Sequence, residues 1–128
     1  MTSWTTEELN KISSAEELQI ASLRKDGSLH SMRIIWVVRL GDDIYVRSVN
    51  GRTSDWFRGV QSRYEGHIRA GGVKKDVAFL EESDSIVNDQ IDATYEAKYR
   101  RYASIIPSIN SSTARSATIK IVPRATGT

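Results

Sequence analysis

The stretch best suited to chemistry is Tyr45-Val46-Arg47-Ser48-Val49-Asn50-Gly51-Arg52-Thr53-Ser54-Asp55-Trp56-Phe57-Arg58. A strand-like run ends in an arginine and a serine, a glycine-containing loop follows, and Ser54 is placed to cap a helix. Free backbone N–H groups at a helix start, the positive end of its dipole and nearby guanidinium groups together form a phosphate site. Arg33, on the preceding strand-like run, can face the same loop. Trp56 and Phe57 can wall an aromatic ligand. The candidate contacts are therefore Arg33, Arg47, Ser48, Gly51, Ser54, Trp56 and Arg58, with Arg52 converging on the same loop. Each also has a plain structural role, Gly51 in the turn, Ser54 as the cap and Trp56 in the core, and the residue types alone weigh the two about equally.

Charge distribution singles out the same region. The whole chain carries a formal net charge of +2. Between Arg24 and Lys75, eleven Lys or Arg face five Asp or Glu, a local net of +6 that leaves −4 for the rest. Arginine outnumbers lysine twelve to six, and its planar fork matches phosphate and carboxylate better than an ammonium does. With no cysteine and only His30 and His67, disulfides, thiol catalysis and Cys-ligated zinc are excluded, and no metal site is expected. Asp89 and Asp92 lie one turn apart without further ligands. Tyr95, Tyr99 and Tyr102 recur at core-like helical spacing, and Arg100-Arg101 sits on the polar side of the same helix. No Ser-His-Asp set or phosphate-cradling glycine motif is present. No catalytic residue is assigned, and any catalysis would rely on a bound cofactor.

The elements that must position these residues follow from patterning. Thr5 and Glu8 form a capping box for a helix over 5–13. A strand over 20–23 leads into a Lys25-Asp26-Gly27-Ser28 turn. Residues 29–40 alternate strongly, which predicts one long strand with Met32, Ile34, Trp36, Val38 and Leu40 facing the core. A second strand covers 44–49, a helix 54–63, and a Gly71-Gly72 hairpin joins strands over 66–70 and 75–80. Val87, Ile91, Tyr95, Tyr99 and Tyr102 predict a helix over 85–103 that Pro107 stops. A last strand covers 118–122, and the tail beyond is expected to fray from about residue 125.

Antiparallel strands on short hairpins, with helices in the longer gaps, predict an α+β fold: a small, mostly antiparallel split β-barrel with flanking helices. The 128 residues, 39% of them apolar, suffice for one domain over 1–128 with a core of its own. No apolar run is long enough for a membrane span. The acidic, polar N-terminus does not read as a signal peptide, so a cytoplasmic protein is expected.

Several spaced motifs resemble one family. Trp36-Val37-Val38-Arg39, Tyr45-Val46-Arg47-Ser48, Gly51, Ser54-Asp55-Trp56, Gly66-His67-Ile68, Gly71-Gly72-Val73, Ile91-Asp92, Tyr95, Lys98-Tyr99 and the segment from Ala117-Thr118 to Pro123-Arg124 are similar to the bacterial domain-of-unknown-function 2255 family. That family resembles, more distantly, the split β-barrel flavin and deazaflavin oxidoreductases, including the nitroreductase-like branch. In that branch a glycine-serine turn and an arginine precede the long strand, where this chain has Gly27-Ser28 and Arg33, and a tryptophan-aromatic pair opens the helix, as Trp56-Phe57 do. The chain departs at Gly59, where the branch has asparagine, and in Leu23-Arg24-Lys25 before the turn. The resemblance implies an FMN-binding-like split barrel, FMN or deazaflavin held by its phosphate, oxidoreductase activity and a homodimer. Two other classes stay open: a non-catalytic small-ligand or interaction module, and a nucleic-acid-binding barrel whose basic groove interleaves aromatics.

Overall fold

A computed structural model describes residues 3–124. The Thr5 hydroxyl accepts a hydrogen bond from the Glu8 N–H and the Glu8 carboxylate accepts one from the Thr5 N–H, the reciprocal cap that starts α1 (Thr6–Ser14). Leu9 and Ile12 are its buried edge. Seven strands follow: β1 (Leu18–Ser22), β2 (Arg33–Ile35), β3 (Val38–Leu40), β4 (Asp43–Arg47), β5 (Glu65–Ala70), β6 (Val73–Glu81) and β7 (Thr118–Pro123). They form one antiparallel sheet in the order β2-β1-β5-β6-β7-β4-β3.

The two ends of that order, β2 and β3, are consecutive in sequence and separated only by Trp36 and Val37. Successive Cα atoms are about 3.8 Å apart, so the ends of the sheet lie within roughly 11 Å of each other. The sheet therefore curls on itself into a split β-barrel. This corrects the single strand expected over 29–40. The alternation of Met32 to Leu40 changes phase at the crossover: Val37 and Val38 are both fully buried, whereas Ile34 is 61% exposed. The break is fixed from outside the strand. The Val37 N–H donates to the Tyr99 hydroxyl at 3.0 Å, and the Val37 carbonyl accepts from Lys98 Nζ at 2.7 Å.

Those two side chains come from α3 (Ser85–Lys98) and its C-cap, shorter than the 85–103 helix expected. A 3-10 turn (Arg100–Tyr102) continues the chain. Pro107 does not only stop a helix; it sits in the first turn of α4 (Ile106–Ile109), where its missing N–H costs nothing. Ser111 caps a further short helix, α5 (Ser112–Arg115). The helix expected over 54–63 is α2 (Asp55–Arg63), capped by Ser54.

Two apolar clusters result. Ile20, Ile44, Val46, Phe57, Ile68, Phe79, Ile119 and Ile121 lie in the larger, with Leu9, Ile12 and Trp4 from the N-terminal segment. Val38, Tyr45, Ile91, Tyr95, Tyr99 and Ile109 form the smaller, under α3. β4 serves both, because alternate residues point to opposite faces: Ile44 and Val46 join the first and Tyr45 the second. Among the described residues no helix is long and apolar enough to cross a membrane. Arg124 is tied down, its N–H on the Asp76 carbonyl and its guanidinium on Glu65; the tail expected to fray, 125–128, lies outside the described residues.

Candidate functional site

The arginines expected to converge on the 48–54 loop divide into two kinds. Arg47 is 1% exposed. Its Nε donates to Thr118 Oγ1 at 2.9 Å and its Nη2 to Asn88 Oδ1 at 2.8 Å and the Asn88 carbonyl at 3.1 Å. Its Nη1 donates to Asp92 Oδ1 at 2.5 Å, Asn110 Oδ1 at 3.1 Å and the Ile109 carbonyl at 3.3 Å. A guanidinium has five N–H groups, and this one uses all of them inside the protein. Asp92, which looks isolated in the sequence, is the counter-ion of both Arg47 and Arg115. Arg47 is therefore a tie between β4, β7, α3 and the segment around α4, with no donor left for an added phosphate. Arg52 is also engaged, on Glu81 at 2.7 Å and the Ser116 carbonyl at 2.9 Å.

Arg33 and Arg58 are exposed and make no side-chain hydrogen bond or ion pair among the described residues. Arg33 lines a small polar pocket of about 120 Å³ between β1, β2 and α2, with Ser22, Arg24, His30, Asp55 and Trp56. Arg58 lies one turn further along α2 and lines neither this pocket nor the groove beyond it.

That groove, about 330 Å³, runs between the crossover, the 48–54 loop and α4. Ile35, Trp36, Trp56, Ile105 and Ile109 make its apolar walls, and Ser48, Asn50 and Ser54 its polar ones. Ser48 Oγ and Ser54 Oγ are 2.7 Å apart, and Ser54 Oγ also accepts from the Phe57 N–H at 3.4 Å. The far side of Trp36 is stacked on Tyr99, ring centroids 4.0 Å apart and planes 5° from parallel. Burial raises the Tyr99 hydroxyl to about 12, against a smaller lowering by its contact with the Val37 backbone. Gly51 has a structural reason of its own: its φ is +77°, and a Cβ there would stand 2.5 Å from Thr113 Cγ2.

Of the residues picked out from sequence, Arg47, Ser48, Ser54 and Trp56 line the groove, Arg33 and Trp56 line the pocket, and Gly51 packs on α5. Arg47 reaches the groove's edge with its donors already committed. Sequence reasoning misses Ser22, Arg24 and His30. The hairpin signal could have found them: the 25–28 turn sets Ser22 opposite His30, whose N–H donates to the Ser22 carbonyl at 2.9 Å. Gly59 belongs with them, since a Cβ on it would lie 2.6 Å from Ser22 Oγ.

An antiparallel sheet curled shut by a two-residue crossover, with a ligand-sized groove beside that crossover, defines a split β-barrel protein. More particularly, residues 8–121 match the family described as uncharacterized protein conserved in bacteria, domain of unknown function 2255, and the chain belongs to that family. No curated protein matches it. Among solved structures it is similar to HutZ, the haem storage protein of Vibrio cholerae, at 14% identity over 98% of this chain and 93% of that one, TM-score 0.65. It is also similar to a FAD-binding protein of Mesorhizobium loti at 15% identity over 96% and 92%, TM-score 0.57. A structure named F420 reductase is similar at 16% identity over 92% of each chain, TM-score 0.54. At these identities the likeness is one of fold.

Proposed function

We propose that the protein binds a flavin-type cofactor, FMN or a deazaflavin, through its phosphate and acts as an oxidoreductase. Trp56 carries this proposal: its half-buried ring is the wall shared by the polar pocket and the apolar groove. A ligand with a flat ring and an anionic end can lie across it, ring towards Trp36 and Ile105, anion towards Arg33. Arg33 would hold the phosphate in the pocket near the start of α2, while the hydroxyls of Ser48 and Ser54 would meet the polar edge of the ring in the groove, with Arg58 and the Gly51 turn outside both. Arg47 would hold these elements in place rather than touch the ligand. The cofactor would supply hydride chemistry; the protein would supply orientation and an anion-compatible field. The FAD-binding and F420 reductase relatives in fold support a flavin-type ring, and the haem storage protein supplies the contrasting probe.

The groove keeps Val49 and Ile105 exposed at its rim, and a second copy covering them would make the homodimer that the family resemblance implies. A second use of the same site follows from its thin charge. With Arg24, Arg47 and Arg52 engaged, Arg33, unpartnered among the described residues in a pocket of about 120 Å³, suits a small anionic ligand bound without redox chemistry.

Titration with FMN, deazaflavin and haem, followed by fluorescence and melting temperature, tests both. Micromolar binding of a flavin-type ring that Trp56→Ala weakens supports the oxidoreductase. Binding of inorganic phosphate alone, with no flavin, supports the small-anion module. Binding of haem alone overturns the flavin proposal.

A further inference from the structure

A further cavity lies away from the groove. It is a cleft of about 580 Å³ between the C-terminal ends of α1 and α3, lined by Ser13, Ser14, Glu16, Lys98, Arg100 and Arg101, with Tyr99 at its wall. Three cations face one carboxylate there. Glu16 is engaged: it pairs with Arg101 and accepts from the Tyr102 hydroxyl. Arg100 is exposed and has no partner among the described residues. Lys98 is half-buried and, among the described residues, has no carboxylate partner and makes one hydrogen bond, to the Val37 carbonyl. Its Nζ lies 5.2 Å over the Tyr99 ring.

Cations at a helix C-terminus commonly answer the helix dipole, and Arg100 and Arg101 can do so. Lys98 does not: it reaches past its own helix to the crossover and is desolvated there. We propose that this cleft captures small anionic aldehydes, Lys98 forming an imine with the carbonyl carbon and Arg100 holding the anion. It is independent of the cofactor site.

Burial pulls the Lys98 ammonium down to about 8, so at pH 8 about half the amines are unprotonated, whereas an ordinary lysine is almost wholly protonated. The free amine places its lone pair on the carbonyl carbon as the C=O π pair moves to oxygen. The resulting carbinolamine loses that oxygen as water, both amine hydrogens leaving with it, and a C=N bond remains. No oxidant or reductant is needed. Taking up a proton on nitrogen, the imine regains one N–H, which can donate to Val37. The titratable and charged groups that share the cleft with Lys98 are Glu16, just before β1, and Tyr99, Arg100 and Arg101 from its own end of the chain; its Nζ meets the Val37 carbonyl and the Tyr99 ring directly.

The test incubates the folded chain at pH 8 with glyoxylate, traps imines with cyanoborohydride and maps modified lysines by mass spectrometry. Lys98 is expected to react about tenfold faster than any of the other five lysines, because its free-amine fraction is far larger. Glyoxylate should outpace neutral acetaldehyde at Lys98, and Arg100→Gln should remove that preference while acetaldehyde still reacts. Lys98→Arg, which keeps the cation and a donor for Val37, should abolish the fast reaction with an unchanged melting temperature; Lys98→Met serves if the arginine disturbs packing. Labelling spread evenly over the lysines, or slower at Lys98 than at an exposed lysine, overturns the proposal. Equal rates with glyoxylate and acetaldehyde overturn the anion's part in it.

Discussion

Arg47 ends β4 at the edge of the groove and Arg33 opens β2 in the polar pocket beside it; they are the same residue type, yet the fold uses them in opposite ways. Arg47 is buried and holds four segments together through Thr118, Asn88, Asp92 and the Ile109–Asn110 backbone and amide. Arg33 is exposed in a pocket and holds no partner among the described residues. Counting cations along a sequence detects the charge but not whether a counter-ion sits across the fold. Here that counter-ion is Asp92, 45 residues away. An arginine with a full set of internal acceptors belongs to stability, and one with none is available for ligand.

Arg47→Met gives the sharpest break. It removes every donor from a buried site and leaves Asn88, Thr118 and part of Asp92 unmatched, so stability should fall by about 3 kcal/mol or more. Urea unfolding measures it. A variant that melts like its parent but no longer binds cofactor would make Arg47 a ligand after all and erase the contrast with Arg33.

Gly51→Ala tests the same division in the loop. Its positive φ and the approach of Thr113 both resist a Cβ, and a loss of about 2 kcal/mol is expected. Were Gly51 there only to admit a phosphate, the alanine variant would keep its stability and lose affinity.

Where the signals are local, the sequence alone carries the architecture. Helix starts are legible because capping is local: Thr5 with Glu8, and Ser54. The Gly71-Gly72 hairpin is legible for the same reason. The crossover at Trp36-Val37 is not, because the donors and acceptors that interrupt the strand come from Lys98 and Tyr99, some 60 residues on. Apolar alternation through Met32 to Leu40 continues across it without a mark. α4 and α5 escape because Pro107 and Ser111 act as starts, and a proline after a long helix looks first like a stop. In the site, the sequence locates the loop and its arginines but not their partners. The polar pocket escapes because Ser22 and His30 meet only through hairpin register.

Arg33→Ala should leave the melting temperature unchanged and weaken the anionic ligand about tenfold, the effect of losing a charge-assisted hydrogen bond at a partly exposed site. Asp55, whose carboxylate lines the same pocket, opposes an anion there, so Asp55→Asn should tighten binding of the same ligand, by a smaller factor. Isothermal titration of both variants with FMN or inorganic phosphate decides it. Affinity unmoved by either change would mean that the pocket is not where the anion sits.

Lys98 falls between the two arginines, since it is anchored on Val37 but has no counter-ion among the described residues, and its energetic mark should depend on pH. Its folded value, about 8, lies below the roughly 10.4 of an unfolded lysine. Between those two values the unfolded chain binds more protons than the folded one, so this group makes stability rise with pH across that window. Below pH 8 its cost to the folded state is fully present; above about 10.4 it is gone. Tyr45, Tyr95 and Tyr99 are raised by burial and pull the other way above about pH 10, so the parent's curve alone mixes the two. The difference between parent and Lys98→Met isolates the lysine: the parent should gain on the variant from pH 8 to 10 and hold a constant difference from pH 6 to 7. A difference flat across the whole range would mean that the Lys98 ammonium is solvated as an ordinary surface cation, which would remove the contrast with Arg33 and the ground for imine formation in the cleft.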